Sequence, residues 1–174
     1  MSRASDLERR FAPASLEGRQ LVGLAAPYES ETRIGEFRER IAKGAFTRTL
    51  SENRDILALS DHDPAKVLGR TKSGTLQLEE TVHGLSFRLQ LPATSIGNDL
   101  RELANRGDLG GVSFGFRAIR DSWEGDLRTL EEVELHEISI VQSFPAYPDT
   151  TVALRSRPMQ TFLLEPRRRW LETV

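Results

Sequence analysis

Apolar and polar residues alternate along most of the chain in short runs broken by turn-forming residues, the pattern of a protein built mainly from strands. From Arg19 to Tyr28, the run Gln-Leu-Val-Gly-Leu-Ala-Ala reads as a buried strand stopped by Pro27. Glu36 to Ile41 alternates charged residues around Phe37 and is a weaker strand. Four short strands follow at Ile56 to Ser60, Val67 to Thr71, Thr75 to Val82 and Leu85 to Leu91. Lys72-Ser73-Gly74 and His83-Gly84 are hairpin-like breaks among them, and Pro92 ends the set. Gly110-Gly111 opens a strand from Val112 to Asp121, and a long strand, bent or interrupted, runs from Leu127 to Gln142.

Two stretches have helical spacing instead. Ala45, Phe46, Thr49 and Leu50 line one side of a short helix over Gly44 to Leu50. A second helix passes through Asp99, Leu100, Leu103 and Ala104, with Ser95 or Thr94 as its cap and Gly107 where it ends. Together these elements predict a mainly β fold with a few short helices (α+β), about seven mostly antiparallel strands forming a small closed barrel. Residues 1–18 lack a clear period and read as a flexible N-terminal arm. The domain proper is expected over residues 19–155. Beyond it, Arg157-Pro158, Pro166 and the run Arg167-Arg168-Arg169 mark residues 156–174 as a basic tail.

Composition narrows the chemistry. The 174 residues include no cysteine, so thiol nucleophiles, thiolate-bound zinc, iron–sulfur clusters and disulfides are excluded. A reactive centre must use oxygen and nitrogen groups. With 24 basic and 26 acidic residues, the net charge of −2 offers no footprint for a phosphate backbone, and no nucleic-acid partner is expected. The longest uncharged apolar runs, such as Leu21 to Pro27, are strand-sized, and Met1 to Arg10 carries no signal-peptide core. These features predict a protein of the cytoplasm that does not enter a membrane.

Three histidines, His62, His83 and His136, are the candidate bases, because imidazole titrates nearest neutrality. His83 sits at a hairpin break, where a turn explains it. His62 follows the strand Ile56 to Ser60, and continued alternation would put it on the face of Ala58 and Ser60, with room for a partner and a substrate. Asp63, next in sequence, would point the other way. Ser113 lies in Gly110-Gly-Val-Ser-Phe-Gly-Phe116, where Val112, Phe114 and Phe116 share one face and Ser113 and Gly115 the other. The absent side chain at Gly115 would let a substrate backbone approach the hydroxyl, and the two preceding glycines could turn amides toward an oxyanion. A serine in a glycine-rich strand start is also a common structural feature. Finally, His136-Glu137 is a polar pair inside the apolar run Leu135 to Val141, costly to bury without hydrogen bonds. Either residue could hold the His62 imidazole, or both could lie in water at a sheet edge.

Six segments, in order, resemble the tailed-phage prohead proteases, the capsid maturation proteases. They are Gly23-Leu-Ala-Ala-Pro-Tyr28, Glu39-Arg-Ile-Ala-Lys-Gly-Ala-Phe46, Ser60-Asp-His-Asp-Pro64, Leu68-Gly-Arg-Thr-Lys-Ser-Gly-Thr-Leu76, Arg106-Gly-Asp-Leu-Gly-Gly-Val-Ser-Phe-Gly-Phe116, and Glu137-Ile-Ser-Ile-Val141 followed by Pro145-Ala-Tyr-Pro148. The resemblance implies a fold similar to the herpesvirus assemblin protease. It also implies a serine endopeptidase with His62 as catalytic histidine, Ser113 as nucleophile and Glu137 as third member, His136 being the competitor by analogy with assemblins. No cofactor is implied. The implied substrates are the scaffolding region of the major capsid protein, inside the prohead, and the chain itself. A catalytically inactive capsid assembly or scaffold-binding protein of the same fold is the alternative. A small-ester hydrolase of the α/β type is disfavoured, since the chain lacks its Gly-x-Ser-x-Gly elbow and its strand–helix alternation.

Overall fold

The computed structural model describes residues 8–12 and 14–142. In chain order these form β1 (Glu8–Ala12), β2 (Ala14–Glu17), β3 (Gln20–Pro27), β4 (Thr32–Ile34), β5 (Phe37–Ile41), α1 (Thr47–Ser51), β6 (Leu57–Ser60), β7 (Asp63–Arg70), β8 (Leu76–Thr81), β9 (Gly84–Gln90), α2 (Ser95–Arg106), β10 (Gly111–Glu124) and β11 (Leu127–Val141). The mainly β character and both helices match the sequence pattern, but the strands do not close into a barrel. Four strands run β2-β3-β9-β8 in one sheet, and seven belong to the other, whose path β1-β10-β11-β5-β4 also carries β6 and β7. Among the described residues no strand of one sheet pairs with a strand of the other, so no ladder runs round the molecule.

The branching of the larger sheet comes from the length of β11. Its first residues pair in parallel with β5, Leu127 to Leu130 opposite Arg38 to Ile41, and its last with β6, Glu137 to Ile140 opposite Leu57 to Ser60. Between them the edge of β11 is covered by the segment leading into α1 and by α1 itself. Val133 donates its N–H to the Ala45 carbonyl at 3.0 Å, and Leu135 donates to the Thr49 hydroxyl at 3.1 Å. Buried backbone donors on a strand need such partners wherever no strand supplies them. Helix α1 is a single turn, later and shorter than the spacing predicts. Its free N-terminal groups are met from outside the helix: Glu80 of β8 accepts the Phe46 N–H at 3.0 Å and the Thr47 hydroxyl at 2.5 Å. Helix α2 matches its expected caps, with the Thr94 hydroxyl accepting the Gly97 N–H and Gly107 closing it at φ +73°.

Residues 8–12 and 14–17, expected within a flexible arm, contribute two strands: β1 pairs antiparallel with β10, and β2 with β3. Their residues alternate too weakly in hydrophobicity to be read as strands alone, and pairing with an apolar neighbour supplies what local pattern does not. The expected domain end at 155 and the basic tail at 156–174 lie outside the described residues.

One apolar cluster joins the two sheets, including Leu21, Leu85, Phe87 and Leu89 from the smaller one and Phe114, Phe116, Ile138 and Ile140 from the larger. Phe46, in the turn before α1, meets Phe114 edge-on with ring centroids 5.8 Å apart, and Phe114 stacks on Phe116 at 5.1 Å. The core-facing positions of β11 change phase, from Val133 and Leu135 to Ile138 and Ile140. The register explains it: Gly115 pairs with Glu137 but Phe116 pairs with Leu135, leaving His136 as an extra, unpaired residue, a β-bulge.

Candidate active site

His62 is positioned by a tight turn rather than by a strand face. Ser60 pairs with Asp63, so Asp61 and His62 are the two central residues of the β6–β7 hairpin, with φ of 51° and 61°. Two left-handed residues in a row are what a type I′ turn demands, and without glycine they are strained by roughly 1–2 kcal/mol each. The expectation that His62 continues the alternation of β6 is therefore incorrect, because the chain reverses direction at that residue. The turn is held by the end of β11. Gln142 donates its N–H to Asp61 Oδ1 at 3.0 Å and its side-chain amide to Asp61 Oδ2 at 2.7 Å, and Asp61 donates its own N–H to the Ile140 carbonyl at 3.0 Å. These bonds offset the backbone strain of the two left-handed residues.

From the turn, His62 Nδ1 lies 2.8 Å from Glu137 Oε1, and both side chains are largely buried, 12% and 7% exposed. A carboxylate can only accept, so Nδ1 of the neutral ring carries the proton and Nε2 keeps its lone pair. Ser139, two residues on and therefore on the same face of β11, donates its hydroxyl to Glu137 Oε2 at 2.6 Å and accepts the His62 N–H at 3.2 Å. Opposite Ser139, on β10, is Ser113. Ser113 is fully buried, its Oγ has no hydrogen-bond partner, and His62 Nε2 is likewise buried without one. The atoms that a hydroxyl nucleophile and its base would use are thus among the three buried side-chain atoms, with Arg117 Nε, that have no partner among the described residues.

Gly115 takes a different role from the expected opening for substrate. A Cβ there would stand 2.4 Å from Glu137 Oε1 and 3.0 Å from its Cδ, so the space is filled by the carboxylate. Glu137 can lie across the ribbon toward His62 because the residue paired with it has no side chain. His136 points elsewhere. As the bulge residue its side chain is 44% exposed, with Nε2 3.8 Å from Glu134. His83 lies in the two-residue connection between β8 and β9, whose last pair is Thr81 with Gly84. Asp63 turns to its own strand, accepting the Ala65 N–H at 2.9 Å and pairing with Lys66 at 3.3 Å.

A charged cavity lies further along the same face of β10, lined among others by Arg48, Arg54, Arg117, Glu132 and Glu134. Its charges largely pair with one another, Arg48 with Glu132 at 2.7 Å and both Arg54 and Arg117 with Glu134. Burial pushes the Glu134 carboxyl up, but the hydrogen bond and charge of Arg117, with the charge of Arg54, outweigh it and hold Glu134 below the usual carboxylate range. The cavity includes none of Ser113, His62 or Glu137. Among the described residues no group of three or more His, Asp or Glu is placed to hold a metal ion, and no helix is long and apolar enough to cross a membrane.

Of the three residues singled out in the sequence, the structure brings His62 and Glu137 into contact and sets Ser113 on β10 opposite Ser139, which bonds to both. It adds Ser139 and the Asp61–Gln142 clamp and gives Gly115 another role. Ser139 had a readable signal, since a hydroxyl two positions from Glu137 in an apolar strand must share its face. The clamp had none, because Asp61 and Gln142 are 81 residues apart.

An imidazole held by a carboxylate is one half of the arrangement serine hydrolases use; a serine hydroxyl is the other. The profile of the caudovirus prohead serine proteases matches residues 5–165, and the chain belongs to that family. Among solved structures, the bacteriophage T4 capsid assembly protease is similar in fold, with a TM-score of 0.59 at 12% identity, over 79% of this chain and 98% of that one. No curated protein matches the chain.

Proposed function

We propose that this chain is the serine endopeptidase of phage head maturation, with Ser113 as nucleophile, His62 as general base and Glu137 as the residue that orients the base. The observation carrying this reading is the 2.8 Å contact of His62 Nδ1 with Glu137, while His62 Nε2 and Ser113 Oγ are buried and unengaged. The outward position of His136 favours a Ser-His-Glu over a Ser-His-His centre. Family membership supports the substrate: the scaffolding region of the major capsid protein, cut inside the prohead in the host cytoplasm, and the chain itself.

In the reaction, Nε2 takes the Ser113 proton as Oγ attacks the scissile carbonyl, and the bond between Ser113 and His62 forms only as substrate seats. Glu137 stabilises the imidazolium and keeps the ring in the tautomer that can accept at Nε2. Nε2 then passes the proton to the leaving amine. Water, deprotonated by the same nitrogen, attacks the acyl-enzyme and frees Ser113. Each proton has a side chain to receive it, so the scheme needs no cofactor.

The test is co-expression of the capsid precursor with the wild-type or Ser113→Ala chain, read by mass spectrometry of the precursor. The expected result is a discrete cut with wild type and an intact precursor in assembled proheads with Ser113→Ala. Normal processing by Ser113→Ala would overturn the proposal and favour a non-catalytic assembly protein.

A further inference from the structure

Ser139 is fully buried and makes two hydrogen bonds, one to each partner of the His62–Glu137 contact. Chemistry fixes both directions. The carboxylate can only accept, so the hydroxyl proton goes to Glu137 Oε2, and the backbone N–H of His62 can only donate, so it goes to the hydroxyl lone pair. A closed ring results: His62 backbone, Ser139 Oγ, the Glu137 carboxylate, His62 Nδ1, with links of 3.2, 2.6 and 2.8 Å. Two rotors that would otherwise move independently, the Glu137 carboxylate and the strained His62 turn, are tied to one strand atom. The residue that carries it is paired across the ribbon with Ser113.

We propose that Ser139 is a positioning residue of this centre, fixing the Glu137 carboxylate and the His62 backbone together so that the imidazole faces Ser113; this rests on the reading of Ser113, His62 and Glu137 given above. A serine that merely filled space would have no reason to bridge both groups. Glu137 alone fixes the Nδ1 end of the ring, whereas the ring's origin on the backbone is set by the bond from His62 N–H to Ser139.

The test compares Ser139→Ala and Ser139→Cys with wild type in the full chain. Cysteine keeps the size of serine but is a weak donor and acceptor, so it retains packing should alanine fail to fold. Cleavage of the capsid precursor is followed to separate kcat from KM. The Nδ1 proton of His62 is observed by NMR in a Ser113→Ala background, assigned by its disappearance in His62→Ala. Loss of bonds to a charged group and to a buried amide is expected to lower kcat about 10- to 100-fold with KM within about twofold. The Nδ1 proton signal should broaden by exchange with water in both variants. Wild-type kcat in either folded variant would overturn the assignment, as would a fall in kcat with an unchanged Nδ1 signal, which marks a structural role only. If Ser113→Ala itself still cleaves, it is the underlying reading that has failed.

Discussion

Around Ser113 both faces of the β10–β11 ribbon are buried, and they carry different chemistry. One carries Val112, Phe114, Phe116, Ile138 and Ile140, all with no exposed surface; the other carries Ser113, Ser139 and Glu137, with 0%, 0% and 6%. On the first, hydrocarbon meets hydrocarbon across the two sheets, and every contact is spent on stability. On the second, a carboxylate and two hydroxyls are taken out of water. Burial there is tolerable because Glu137 is hydrogen-bonded, while Ser113 Oγ and His62 Nε2 carry the penalty of having no partner. Burial alone therefore does not separate scaffold from site. What sets the second face apart is that some of its buried polar atoms are satisfied and others are left without a partner.

If the faces divide labour in this way, substitutions on each should move different readouts. The largest effect on the polar face is expected from Glu137→Gln, which keeps shape but replaces the charged acceptor. Turnover of the capsid precursor should fall about 10²- to 10⁴-fold, with the thermal midpoint of unfolding shifted little by comparison. On the apolar face, Phe114→Ala should cost about 3–5 kcal/mol of stability in denaturant unfolding, and the chain that remains folded should cleave at a near wild-type rate. Equal loss of turnover per folded molecule would break the comparison.

Gly115→Ala sharpens it. The new Cβ meets the end of a flexible side chain, so the strand can stay in place while Glu137 is pushed from His62. Turnover should drop about 10- to 100-fold, and secondary structure by circular dichroism should be retained. The smallest effect belongs to His136→Ala. Its imidazole faces away from His62, and kcat/KM should change less than about threefold, as for a surface residue outside the site. A loss rivalling that of Glu137→Gln would reverse the two assignments.

Strands and helices were largely legible because each buries one face and so writes a period into the sequence. Leu85 to Leu91 and Leu100 to Ala104 show this, as do their boundaries at Gly84, Pro92 and Gly107. What was not legible was closure. Whether sheets join depends on hydrogen bonds at strand edges, which hydropathy does not record, and so the expected barrel is two separate sheets. The bulge at His136 left a trace, the change of phase between Leu135 and Ile138, and it is the reason adjacent His136 and Glu137 are so differently placed. Alternation found the face of Ser113 correctly but misjudged His62, because two left-handed residues end the strand at Ser60. Gly115 was read as room for substrate when its partner across the ribbon fills that room. Pairings such as Gly115 with Glu137 follow from register, and register is set by the bulge and the turns together.

The central claim is that His62 activates Ser113 through the arrangement around Glu137. A fluorophosphonate ester tests it without a known cleavage sequence: the serine oxygen forms a bond to phosphorus, fluoride leaves, and the serine proton passes to the base. Peptide mass spectrometry then reads which residue carries the phosphonyl group. The account predicts labelling of wild type at Ser113 and a rate at least about 10³-fold lower in His62→Ala. Labelling at a different serine, or at Ser113 equally fast without His62, would contradict it.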